Sequence, residues 1–288
     1  MVFVSLVATC VKLAAYLACI GIALELSHRL YWSINNWVLS METHPARQSV
    51  LSTLVACIPL ASALSVTFLF TFLLDNQSLA SLGLHYDSAA LGKVANGAAV
   101  ATLCVMLMFL LGIVMGYIQV RRARLSEDRV ACLPLVLGGF IDFFTGAVFE
   151  EVIFRGYVYY VLFRYGGDNV AIVVSSLVFS LAHLIKHSHT PRLFAVNALI
   201  FGLLAATCRC YTHSLWLPIG LHFGWNVMSG PILGLPYSGR RYENGVVESR
   251  VSGPEWLTGG LYSLDAGVLG TVALAAAAAG LSTLLPIR

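Results

Sequence analysis

Long apolar runs recur along this chain, and they constrain its fold more than any other feature. Mainly apolar spans lie near 3–25, 50–73, 97–120, 133–163, 169–186, 193–209, 213–231 and 263–286, with short polar stretches between them. A helix needs about 20 such residues to cross a bilayer. The spacing therefore predicts an all-α, polytopic membrane helix bundle of roughly eight transmembrane helices, with residues 1–288 as one membrane domain. Composition agrees, because only 11% of the residues are charged where a soluble domain carries about 25%. The net charge of +3 is spread over scattered loop positions, which gives no footprint for nucleic acid. The lipid bilayer is the first partner to expect.

The fourth span, 133–163, is too long for a simple perpendicular crossing. Its 31 residues reach about 46 Å as a helix, against a hydrocarbon core of about 30 Å. It is expected to tilt, to break near Gly138-Gly139, or to extend beyond the bilayer. The first span lacks a basic leading region and runs long, so it reads as a retained helix rather than a signal peptide. Arginine and lysine concentrate in the odd-numbered loops, among them Arg121, Arg122, Arg124 and Arg129. By the positive-inside rule those loops face the cytoplasm, and the expected location is the cell membrane.

Ionisable side chains inside such spans cost on the order of 2.5–3.5 kcal/mol each, so they point to function. Glu150, Glu151 and Arg155 fall within six residues of the fourth span. Glu151 and Arg155 are four apart, acid before base, which is the favourable order for a helical ion pair. Glu150 points about 100° away from Glu151 and is left to face another helix. His183 lies in the fifth span, and His222 and Asn226 lie in the seventh, one turn apart on one face. The plainer readings stand beside these: a structural Glu151–Arg155 lock, Glu150 as a second partner of Arg155, and histidines that only pack helices.

A glutamate, two histidines and an asparagine can make a hydrolytic site. Glu150, assisted by His183, would deprotonate a water, while His222 and Asn226 would donate hydrogen bonds to the oxyanion on a scissile carbonyl. The same groups can instead hold a metal such as zinc, with Glu150, His183 and His222 as ligands. The HExxH signature of soluble zinc proteases is absent. A cavity shared by these residues is expected to open towards the cytoplasm.

In order, Glu150-Glu151-x-x-x-Arg155, Phe179-x-x-x-His183 and His222-x-x-x-Asn226 resemble the motifs of the CAAX protease and bacteriocin-processing (CPBP, or Abi) family of intramembrane proteases, which includes the type II CAAX prenyl endopeptidase. The similarity covers about residues 132–230, the expected catalytic core. It implies an eight-helix α-bundle that cleaves peptide bonds of membrane-associated peptides, prenylated or leader-type. By motif position, Glu150 and His183 would activate the water, His222 and Asn226 would stabilise the oxyanion, and Glu151 and Arg155 would support the site. Both metal-dependent and glutamate-based, metal-free mechanisms belong to what the resemblance implies. Two competing functions are a catalytically silent scaffold or immunity protein of the same fold and a proton-coupled transporter. No inverted repeat supports the transporter.

Overall fold

In the computed structural model, residues 2–41, 51, 54–55, 57–123, 129–186, 191–237, 239, 241–242 and 245–284 are described. They are overwhelmingly helical. Helix α1 spans Val2–Ser40, and α2 covers Ile58–Leu74, its last turns wound as a π-helix from Phe70. Helix α3 is Ala90–Val114. Helix α4, Arg129–Glu151, runs through a π-helical stretch, Val152–Val158, into α5, Tyr159–Lys186. Then come α6, Arg192–Thr212; α7, Trp216–Val227, continued by π turns to Ile232; and α8, Val268–Leu284.

Four helical stretches are long and apolar enough to cross a membrane: Ser5–Val38, Ala90–Val114, Val136–Ile185 and Arg192–Thr212. Ile58–Leu74 and Val268–Ser282 are shorter apolar helices. The architecture is that of an α-helical integral membrane protein; among the described residues these four stretches and the shorter apolar rods carry the apolar spans of the hydropathy reading, and Val136–Ile185 holds two of them. Helix α1 also runs well past the expected 3–25. Beyond residue 25 its surface is held by local pairs, Arg29 to Glu25 at 2.8 Å and the Trp32 indole to His28 at 2.8 Å, both at the i,i+4 spacing that stabilises helices.

The long fourth apolar run does not break at Gly138-Gly139; α4 is continuous there. Gly139 is instead a packing point, since a Cβ built on it would lie 2.4 Å from the Tyr242 hydroxyl. The break falls at Gly167, whose φ of 73° and ψ of −171° belong to a region essentially reserved for glycine. Glu150 lies 17 residues before this break and His183 lies 16 after it. At 1.5 Å per residue the two arms are each about 25 Å long, so folding back at Gly167 brings the two side chains to one depth.

The third run ends earlier than its hydropathy suggests. Gly116, with φ of 77°, stops α3, and Ile118–Ala123 becomes strand β1. It pairs antiparallel with β2, Val247–Val251, with Ile118 opposite Val251 and Ala123 opposite Val247. This two-stranded sheet is a departure from a purely helical chain. The alternating, β-branched sequence Ile118-Gln119-Val120 favours it.

Helix α7 is pressed onto α3 by a small-residue face. Cβ atoms built on Gly220 and Gly224 would fall 2.2 Å from the Val94 carbonyl oxygen and 2.6 Å from that of Ala98. The two backbones meet directly, as at small-xxx-small contacts between membrane helices. His222 is two residues from each glycine, about 200° around the helix, so the same contact turns it away from α3 and into the bundle.

Candidate active site

Three helical elements supply the polar residues of one cavity. Glu150 comes from the last turn of α4, His183 from α5 beyond the Gly167 reversal, and His222 and Asn226 from α7. All four line the same cavity of about 70 Å³. On this measure one water needs about 10–15 Å³, so several fit. Glu150 Oε2 lies 3.7 Å from His183 Nε2 and 3.8 Å from His222 Nε2. These separations exceed a direct hydrogen bond and suit a bridging water.

Neighbouring groups fix the ring orientations. His183 Nδ1 is 2.9 Å from the Phe179 carbonyl oxygen. A carbonyl only accepts, so Nδ1 carries a proton there and Nε2 faces Glu150. His222 Nδ1 donates to Glu151 Oε1 at 2.8 Å, which leaves its Nε2 towards the cavity. Aromatic rings complete the clamp: Phe179 packs 4.4 Å from the His183 ring and Phe201 lies 5.2 Å from the His222 ring.

The adjacent glutamates occupy different worlds. Glu150 is partly open to the cavity, with a side chain 20% exposed, whereas Glu151 and Arg155 are completely buried behind it. Arg155 Nη1 donates to Glu151 Oε1 at 3.0 Å, and its guanidinium carbon sits 4.1 Å over the Phe179 ring. A buried charge pair is tolerated only where further contacts offset its desolvation. Here His222 and the aromatic face supply them. The Glu151–His222 hydrogen bond is invisible to spacing within one helix, because its partners are 71 residues apart.

Among the described residues, no group of three or more His, Cys, Asp or Glu side chains is arranged to hold a metal ion. Glu150, His183 and His222, the ligands suggested by residue type, line one cavity without forming such a cage.

Other lining residues gave no clear sequence signal. Asn197 on α6, Tyr237, Tyr262, Ser263 and Asp265 all face the cavity. Asn197 is a buried polar residue in an apolar run, which was the available hint. The glycines of Gly220-x-x-x-Gly224 carried a second legible signal, a helix-packing face.

Fold and site together define an integral membrane α-helical protein whose cavity brings a carboxylate, two imidazoles and a carboxamide to one point. Comparison with protein families places a name on that class: residues 133–228 match the Rce1-like family, described as type II CAAX prenyl endopeptidase Rce1-like. The matched third of the chain contains Glu150, His183, His222 and Asn226, and it is similar to the Rce1-like domain. Neither the curated proteins nor the solved structures give a match.

Proposed function

We propose that this protein is an intramembrane endopeptidase that hydrolyses peptide bonds of membrane-associated substrates, prenylated CAAX-type or leader-type peptides. The observation that carries the reading is the convergence of Glu150, His183, His222 and Asn226 on one cavity with room for several waters, from three separate helical elements. The Rce1-like match supports CAAX-type proteolysis within the membrane in general.

In this reading a water held between Glu150 Oε2 and His183 Nε2 loses a proton to Glu150 as its oxygen attacks the scissile carbonyl carbon. The carbonyl π electrons move to oxygen, where the Asn226 amide donates a hydrogen bond at any pH. His222 Nε2 can donate as well only as the imidazolium, since its Nδ1–H is already committed to Glu151. Collapse of the tetrahedral intermediate breaks the C–N bond. The leaving amine takes the proton from Glu150, which restores the carboxylate. Glu151 and Arg155 touch none of the reacting atoms in this scheme; they hold His222 in place.

The test is purification in detergent, incubation with a panel of prenylated and leader-type peptides, and comparison with Glu150→Ala and His222→Ala. Cleavage by the wild type and loss in both variants is the expected result. Cleavage that persists in both variants removes the site assignment. Absence of cleavage with every peptide removes the protease reading in favour of a silent scaffold of the same fold.

A further inference from the structure

The cavity is not completed by the Rce1-like segment. Tyr237, Tyr262, Ser263, Asp265 and Leu274 form its remaining wall, and all lie beyond residue 228, where the family match ends. Asp265 sits at the centre of that wall, in the single 3₁₀ turn Leu264–Ala266 that precedes α8. The turn is fixed in place through its backbone. Asn197 Nδ2, from α6, donates to the Asp265 carbonyl at 2.7 Å and to the Gly267 carbonyl at 3.1 Å. Thr271, on α8, donates to Asn197 Oδ1 at 2.8 Å.

With its backbone held this way, the Asp265 side chain is aimed into the site. It accepts a hydrogen bond from the Ser263 hydroxyl and lines the same cavity wall as Trp225, Asn226 and His183. Trp225 immediately precedes Asn226 and packs 6.2 Å from Phe201, whose ring lies 5.2 Å from that of His222. One carboxylate thus faces the elements that carry three of the four cavity residues. A carboxylate at this place costs desolvation, and a neutral side chain of the same shape would pack the turn as well.

We propose that Asp265 is a positioning residue of the active site: it holds the cavity wall beside Trp225 and the Asn226 and His222 face of α7, and it sets a second carboxylate, besides Glu150, in the cavity with His183. The proposal rests on the protease reading above. A displacement of catalytic groups by a fraction of an ångström to an ångström acts on the chemical step more than on substrate capture. The consequence falls on kcat.

The experiment uses the full-length protein in detergent with a peptide that the wild type cleaves, and compares wild type, Asp265→Asn, Asp265→Glu and Thr271→Val. Asp265→Asn keeps the shape and removes the charge; Thr271→Val loosens the turn without touching the carboxylate. We expect Asp265→Asn to lower kcat by about ten- to a hundredfold while KM stays within about twofold and the thermal unfolding midpoint stays near wild type. Asp265→Glu should recover part of that loss, and Thr271→Val, which loosens the turn that aims the same carboxylate, should lower kcat in the same direction but by less. An Asp265→Asn variant with a kcat within about twofold of wild type overturns the proposal. So does a loss of activity that merely follows its loss of folded protein, as a structural role would give. If the wild type cleaves no peptide, the protease reading falls and this proposal falls with it. If the wild type is active and Asp265→Asn is indistinguishable from it, only the role of Asp265 is lost.

Discussion

Glu150 and Glu151 are consecutive in the chain and yet solve opposite problems. The Glu150 carboxylate is partly open to a cavity with room for water, whereas Glu151 is fully buried against Arg155. Glu150→Gln is therefore expected to lower cleavage by about 10²- to 10⁴-fold, the range for a general base, with little change in unfolding temperature. Kinetics and thermal unfolding on one preparation check both halves. The reverse holds behind it. Arg155→Ala strands the fully buried Glu151 carboxylate, and breaking such a pair from one side costs about 3–5 kcal/mol. A clear fall in the unfolding midpoint in detergent is expected, and an unchanged midpoint would contradict the role given to that pair.

Helices deliver these residues only because two glycine features shape them. Gly167 folds the long apolar run back on itself, in a conformation that a Cβ disfavours although open space surrounds it. Gly167→Ala is expected to destabilise the protein by about 1–3 kcal/mol from backbone strain alone, measured as a lowered unfolding midpoint, and to reduce cleavage by disturbing the Glu150–His183 alignment. Gly220 acts by close approach instead. A side chain there meets the α3 backbone at Val94, so Gly220→Val must push α7 outward, at about 1–3 kcal/mol for overpacking. Helical content by circular dichroism should survive while cleavage falls, because α7 carries both His222 and Asn226. Retained activity would show that α7 tolerates displacement.

At the scale of the whole molecule, a small set of polar contacts among the described residues ties the first helix to the rest of the bundle. Lys12 pairs with Asp75 at 2.6 Å, and the Tyr157 hydroxyl donates to the other oxygen of the same carboxylate at 2.8 Å. Tyr16 and Thr67 share a buried hydrogen bond of 2.8 Å beside them. Asp75 thereby links α1, the end of α2 and the π-helical stretch that follows Glu151. Asp75→Ala is expected to cost about 1.5–3 kcal/mol, the scale of a hydrogen bond to a charged group, and to make α1 more open to limited proteolysis. Proteolysis at the wild-type rate would refute that coupling.

By itself the amino-acid sequence determined the helical membrane class, because a long apolar run in lipid has few alternatives to a helix. It also separated Glu150 from Glu151 in direction, since the angle between consecutive residues is a property of any α-helix. It could not tell a lipid-facing surface from a core: Cys10, Cys19 and Cys104 all sit in apolar spans, yet the first two lie on the exposed face of α1 while Cys104 is buried, because both environments select apolar side chains. Nor could it turn hydropathy into a count of crossings, or place a break at Gly167 rather than at Gly138-Gly139, since a glycine serves equally as hinge and as contact point. Only the tertiary structure brought Glu151 to His222 and set Asp265 with Trp225 at one cavity, pairs 71 and 40 residues apart. Such contacts depend on how rods already formed cross one another, and local periodicity carries no record of that.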